Sequence, residues 1–448
     1  MIRNRASFAL VAAGTSIVAA GPAAANDWAG PYIGIGGGYG MTNTRTSNSF
    51  LTEFDEDPIA VKSMKDGQAG TGGFLTLSAG YDHALFGPLV VGAFVDYDFS
   101  DIDTHFSSLL PPDIGHFKIG DQLSVGGRVG YLVAPSTLFF STFGYARSDP
   151  SDVSINFGSG PIRANLGSFN GYFLGSGVET LIGNGFSLKA EYRYTSMRAE
   201  EIALEDVLTE RFKPKIQTIR MSLNYRFGDG KKDVVDNSIP PITSSWTGPY
   251  LGFGTGYSVA NKQESFGADA GPFNNPVSND GGFISASVGY DYQFRERFVV
   301  GAFADADFSN LSYNDSNFAS DGVDSQELWS SHGGFKNILM VGGRLGYLTT
   351  PDTLLFVSGG YANAGMEQTT ISILGEGSGV IYDSKRLSGA FIGAGVETKI
   401  WDSLSLKAEY RYIDLESEEL PLFAMSGSLA ARIDPDIQTG RLSVNWRP

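Results

Sequence analysis

An all-β chain that crosses a membrane on antiparallel strands, sixteen in total and closed into barrel form, is the fold class this sequence predicts. Three observations carry that expectation. The 448-residue chain is written twice, and within each copy polar and apolar residues alternate segment by segment. The gaps between those segments are alternately long and short. Alternation with period two gives a strand two unlike faces, so the remaining question is which face looks inward.

The duplication is explicit in the letters. SLKAEYRY spans Ser187 to Tyr194 and recurs from Ser405 to Tyr412. WAGPYIGIGGGYG from Trp28 matches WTGPYLGFGTGYS from Trp246, VGGRVGYL from Val125 matches VGGRLGYL from Val341, and RMSLNYR from Arg220 matches RLSVNWR from Arg441. A period of this length means repeated domains or half-barrels, not a solenoid.

In the first copy the alternating segments lie near residues 31–41, 72–82, 89–99, 122–132, 137–147, 171–181, 186–195 and 216–227. Long polar stretches follow the first, third, fifth and seventh, whereas HALFGP, VAPS and GNG follow the second, fourth and sixth. The second copy repeats the scheme with QFRER, TTPD and WDS as its short turns. Strands of about ten residues, with long loops at one end and tight turns at the other, have the plan of an outer-membrane barrel.

In such a barrel the apolar face meets lipid and the polar face looks inward. Leu188, Ala190, Tyr192 and Tyr194 then point out while Lys189, Glu191 and Arg193 point in. The same parity sends Asp96, Asp98, Arg128, Glu179, Arg220 and Arg226 inward in the first copy. In the second it sends Asp305, Asp307, Arg344, Glu397, Lys407, Glu409, Arg411, Arg441 and Arg447 inward. Because an unpaired charge in a confined interior is costly, a near-balanced set predicts a structural cluster of ion pairs. Gly34, Gly36 and Gly38 face inward opposite bulky Phe74, Phe94, Phe140 and Phe173, with counterparts in the second copy. Small residues facing large ones fill a narrow barrel.

Composition and the N-terminus set the compartment. Arg3 and Arg5, the apolar run from Ala6 to about Ala20 and the small residues at Ala23 and Ala25 predict a secretory leader over residues 1–25. No later run is long and apolar enough for a membrane-spanning helix. A formal charge of −17 argues against nucleic-acid binding, and the lack of cysteine excludes disulfides and thiolate chemistry. The expected division is a leader at 1–25, a first barrel unit at 26–227, a periplasmic linker at 228–246 and a second unit at 247–448. Pro240 and Pro241 in the linker favour two tandem eight-stranded barrels, and the alternative is one 16-stranded barrel whose wide lumen would make the protein a diffusion porin.

GPYIGIGGGYG after a Trp, GGRVGYL, KAEYRY and the closing LNYRF resemble the small outer-membrane barrel family of alphaproteobacteria, which includes the major 25 and 31 kDa outer-membrane proteins and shares its plan with OmpA-like barrels. Members usually carry one unit, and this chain carries two. The resemblance implies a non-enzymatic protein of the envelope that contacts outer-membrane lipids, lipopolysaccharide and the outer-membrane assembly machinery. Surface contact with an unknown ligand, haemin binding or weak porin activity are further roles the resemblance implies.

No catalytic, cofactor or metal site is expected. His83, His105, His116 and His332 have no counterparts between the copies, and no nucleophile motif accompanies them. The acidic stretches from Glu53 to Asp57 and from Ser320 to Glu327 lack calcium-loop spacing. GIGGGYG is followed by no helix pattern, which removes it as a phosphate loop.

Overall fold

The structure, a computed structural model, describes residues 28–54, 57–107, 114–156, 161–204, 208–227, 245–266, 273–320, 325–373, 376–421 and 430–448. The expected leader and most of the expected linker lie outside the described residues. So do parts of both acidic stretches.

Eight strands build the first wall: β1 (Gly30–Phe54), β2 (Asp57–Ala84), β3 (Leu89–Ser100), β4 (Asp121–Ala134), β5 (Thr137–Asp149), β6 (Phe169–Gly183), β7 (Phe186–Met197) and β8 (Leu208–Arg226). Eight more build the second: β9 (Gly248–Phe266), β10 (Phe273–Phe294), β11 (Phe298–Ser309), β12 (Ser325–Thr350), β13 (Thr353–Met366), β14 (Lys385–Trp401), β15 (Leu404–Leu415) and β16 (Ala430–Trp446). Each strand pairs antiparallel with its neighbour in sequence. β8 returns to β1, with Tyr225 opposite Ile33, and β16 returns to β9, with Val444 opposite Phe253. Each unit therefore closes on itself, and the chain is two tandem eight-stranded barrels. The 16-stranded alternative would need β8 to pair with β9, and β8 has already spent its free edge on β1.

Closure gives every wall strand a partner on both sides, the condition for placing a sheet in hydrocarbon. Alternation then sorts the side chains. On β3, Phe94, Asp96 and Asp98 are buried while Val95, Tyr97 and Phe99 are exposed. Exposed Ile33, Ile35, Leu75, Leu77, Val125 and Val129 belong to the lipid-facing band of the first barrel. Aromatic residues mark its edges, with Tyr81, Phe186 and Phe227 near the short turns and Tyr97, Tyr145 and Tyr172 toward the long hairpins. In the turn between β6 and β7, Asn184 and Gly185 both take positive φ, 54° and 80°, as a two-residue hairpin with right-handed strand twist requires. Val129→Arg puts a charge on the lipid face near the middle of the wall and should cost about 2–4 kcal/mol. Val129→Leu should be silent, and equal urea midpoints for both variants in detergent would contradict the outward assignment.

The stretches read from sequence as long polar gaps are largely strands. β1 and β2 run well past the membrane band and pair out to Phe54 and Asp57. Nine further short strands, among them Asp103–Ser107 with Ile114–Lys118 and Val153–Asn156 with Pro161–Ala164, extend the hairpins outward among the described residues. Above the lipid both faces meet water, so backbone pairing continues after the apolar face has ended.

The two barrels stand side by side in the same orientation. On the outer side, β2 pairs with Leu311–Ser320 of the second unit, from Lys65 opposite Asp315 to Ala60 opposite Ser320. Asp280 of β10 accepts hydrogen bonds from Asn43 Nδ2 at 2.8 Å, Lys215 Nζ at 3.3 Å and the Tyr257 hydroxyl. Near the short turns, Thr137 Oγ1 and Thr353 Oγ1 meet at 3.0 Å with both side chains buried.

Candidate functional site: the filled barrel interiors

The interior of each barrel is layered. At the floor Trp28 is fully buried and its indole donates to the Pro135 carbonyl at 3.3 Å, packed with Val90, Leu132, Leu138 and Phe140. Trp246 repeats this with the Pro351 carbonyl at 3.1 Å. The repeated Trp of the opening motif is thus a plug across the periplasmic mouth.

The lower polar layer lies on that plug. Arg128 Nε donates to Asp82 Oδ1 at 2.7 Å and its NH1 to Glu179 Oε2 at 2.6 Å. Arg226 spans the same two acids, reaching Asp82 Oδ2 and Glu179 Oε1 at 2.8 Å each, while Asn224 Nδ2 donates to Glu179 at 2.9 Å. The second barrel builds the same square from Asp291, Arg344, Glu397 and Arg447, with Asn445 donating to Glu397 at 2.9 Å. The Arg226 guanidinium also lies 4.7 Å from the Trp28 ring centroid, which ties the layer to the floor.

An upper polar layer follows. Arg193 donates to Asp96 at 2.7 Å and to Glu191 at 3.0 Å; Arg220 pairs with Asp98; Lys189 lies 3.6 Å from Glu191. Thr142 donates to Glu191 and Thr76 to Asp98, each at 2.7 Å. In the second barrel Arg411 pairs with Asp305 at 2.6 Å and Glu409 at 2.8 Å, Arg441 with Asp307 at 2.6 Å, and Lys407 with Glu409 at 3.3 Å. Phe173 and Phe94, whose rings touch each other, both pack on the Arg193 guanidinium with centroids 4.4 and 5.4 Å away, and Phe391 and Phe303 do the same for Arg411. Beyond it an apolar lid that includes Ile102, Phe117, Phe169, Phe212 and Ile216 closes the outer mouth. Leu311, Phe335, Ile338, Leu387 and Ile433 take part in the lid of the second barrel.

All eighteen charged residues expected inward are buried, and each belongs to one of these layers. Sequence parity listed four acids against five bases in each copy. The missing acid is Asp82, fully buried at the end of β2, with Asp291 in the second barrel. Each barrel then holds five acids and five bases in these layers, formally neutral. The signal was present, because Phe74, Thr76, Ser78 and Asp82 share one parity on β2.

The histidines do not join this arrangement. His105 and His116 face each other across a surface hairpin with ring centroids 5.8 Å apart, and His116 Nδ1 lies 3.5 Å from Asp103. His332 sits on β12 beside the Asn314 side chain. Among the described residues no group of three or more His, Asp and Glu side chains is arranged to hold a metal ion.

Two closed antiparallel barrels with apolar outer walls and neutral, packed interiors define an outer-membrane β-barrel protein. The chain belongs to the outer membrane protein beta-barrel domain family, whose model matches residues 10–227 and again residues 238–447. It is similar to the 31 kDa outer-membrane immunogenic protein of Brucella melitensis biotype 1, with 29% identity over 237 residues that cover 50% of this chain and 96% of that protein. It is also similar to the 22 kDa outer membrane protein of Rhizobium leguminosarum bv. viciae, with 28% identity over 190 residues covering 42% and 73%. Among solved structures, Ail of Yersinia pestis matches with 15% identity and a TM-score of 0.24, covering 45% of this chain and 100% of that one.

Proposed function

We propose that this protein is a non-conducting, non-enzymatic component of the outer membrane whose two barrels anchor outward-facing hairpins. The observation that carries this reading is the filled interior of both barrels. An eight-stranded barrel is just wide enough to be packed by its own side chains, and here two salt-bridge layers, an aromatic floor and an apolar lid occupy that width. An ion crossing such a barrel would have to displace paired charges, whereas conduction needs a continuous polar path with weak, exchangeable sites. The porin reading had rested on one wide lumen, and the closed seams at β1–β8 and β9–β16 leave it little support.

On this reading the chain divides into a cleaved leader at 1–25, barrel units at 26–227 and 247–448, and a periplasmic linker at 228–246. The outer ends are where the copies differ most, so the halves need not contact the same surface ligand. Lipopolysaccharide around the outer rim and the machinery that assembles outer-membrane barrels are the partners this placement calls for. The test is conductance: the intact protein reconstituted in planar bilayers should give no steady channels of porin size. Large, reproducible channels would return the porin reading to first place.

A further inference from the structure

Between the barrels, at membrane depth, lies a space that neither barrel fills. The walls touch on its outer side, where the Tyr192 ring packs so closely on the β16 backbone that a Cβ at Gly440 would fall 2.6 Å from it. Farther out the Asp280 contacts tie the units together. On the periplasmic side they touch again at Thr137 and Thr353. Between these contacts a chamber of about 640 Å³ is lined by outward-facing Val178, Leu188 and Met221 of the first barrel and Leu345, Val357 and Ala394 of the second.

We propose that this chamber holds an acyl chain of an amine-bearing phospholipid drawn from the periplasmic leaflet. Its walls are lipid-facing strand surfaces, so its solvent is hydrocarbon; a stable water would need two to four polar partners that these side chains do not offer. Its volume lies within the usual range for a small-molecule pocket, roughly 300–1,000 Å³. Depth selects the leaflet. Leu188 is two residues from the start of β7, Val357 four from the start of β13 and Leu345 five from the end of β12, all counted from short-turn ends. At about 3.3 Å per residue along strands tilted by about 40°, these positions lie in the periplasmic half of a core roughly 30 Å thick, while Gly38 and Tyr39, eight and nine residues into β1, carry the upper wall past the middle. The outer contacts close the approach from the other leaflet.

A polar pocket of about 410 Å³ lies at the periplasmic rim, lined in part by Ser245, Asp352, Lys399, Trp401 and Asp402. Val396 of β14 lines the apolar chamber and Lys399, three residues nearer the turn, lines the rim pocket. Lys399 donates to the Ser245 carbonyl at 2.8 Å and lies 5.1 Å from the Trp246 ring centroid, which fixes its ammonium at the rim. A lysine ammonium binds phosphate as a point charge, and the two carboxylates beside it match a primary ammonium. Exposed Trp401 suits the headgroup level. Phosphate with amine is therefore the headgroup chemistry that the rim accommodates.

The test uses the full chain, extracted from outer membranes in mild detergent and analysed by native mass spectrometry. One phosphatidylethanolamine-sized adduct per chain is expected, restored by dioleoyl phosphatidylethanolamine after delipidation. Ala394→Trp and Ala190→Trp, which fill the chamber from opposite walls, should each cut the bound fraction more than tenfold. Lys399→Ala should weaken retention several-fold, and Val129→Trp, on the exposed face of the first barrel, should leave it at the parent level. Migration on gels before and after heating shows which variants have folded, and a filling variant that fails to fold is replaced by the other. No adduct on the parent, a lipid A adduct in place of phospholipid, or parent-level binding in a folded filling variant would each overturn the assignment. None of these outcomes bears on conductance, so this inference and the proposed function fail independently.

Discussion

Arg128→Ala is expected to destabilise the first barrel by about 3–5 kcal/mol, the cost of breaking a buried ion pair and leaving its partners charged. Arg128 is the shared cation of Asp82 and Glu179 and lies 5.5 Å from the Phe140 ring centroid, so its loss uncovers two acids at once. Arg226 cannot replace it, because its guanidinium already contacts the same two carboxylates and the Trp28 carbonyl. Urea titration in detergent micelles should show the first unit unfolding early while the second stays near its parent midpoint. Asp82→Asn on the Arg128→Ala background should recover part of the loss by removing one stranded charge. A variant that melts like the parent would mean the square of charges contributes nothing, and the neutral-interior argument would fall with it.

Gly38→Val should do more, although valine is a good strand former. A Cβ at Gly38 would lie 1.9 Å from the Ile219 carbonyl oxygen of β8 and 2.6 Å from the Phe74 ring. Ordinary overpacking costs about 1–3 kcal/mol because side chains shift. Here the obstacle is backbone on the strand that closes the barrel, so relief requires opening the β1–β8 seam. The expected result is a chain whose first unit fails to acquire heat-modifiable migration and is cut by protease, while Gly73→Ala, which would meet no atom nearer than 3.8 Å, folds normally. Normal folding of Gly38→Val would show that the seam is looser than its register indicates.

Much of this was legible from alternation. The parity that sent Glu191 and Arg193 inward holds on every wall strand, because a barrel wall in lipid has no other way to sort polar from apolar side chains. Asp82 is equally legible, but it closes the alternating segment and β2 runs two residues past it into the letters of the HALFGP turn. The Trp28 plug was not, since that residue precedes β1 and its position depends on the barrel mouth folding around it. The contact between barrels was also hidden: Tyr192 and Leu188 read as lipid-facing, and an apolar side chain carries no mark that distinguishes lipid from another barrel wall. Strand length beyond the membrane escaped for a related reason, as period-two hydropathy fades where both faces meet water.

The Thr137–Thr353 bridge joins two residues that hold the same place in the duplicated unit, since each follows the short turn before the fifth strand of its barrel. Contact between equivalent positions is the mark of an isologous interface, in which each copy offers the same patch and the pair is closed. Tyr192 against Gly440 follows the same rule, for their counterparts Tyr410 and Ile219 line the opposite side of the shared chamber. The chain is therefore built as a homodimer whose subunits have been tethered. A tether replaces protein concentration with a fixed effective concentration, so pairing no longer depends on how many copies the membrane holds. It also frees each half to vary alone: an acid at Asp436 where the first copy has Lys215, or a glycine at 440 where it has Ile219, is a change no true homodimer could make on one side only.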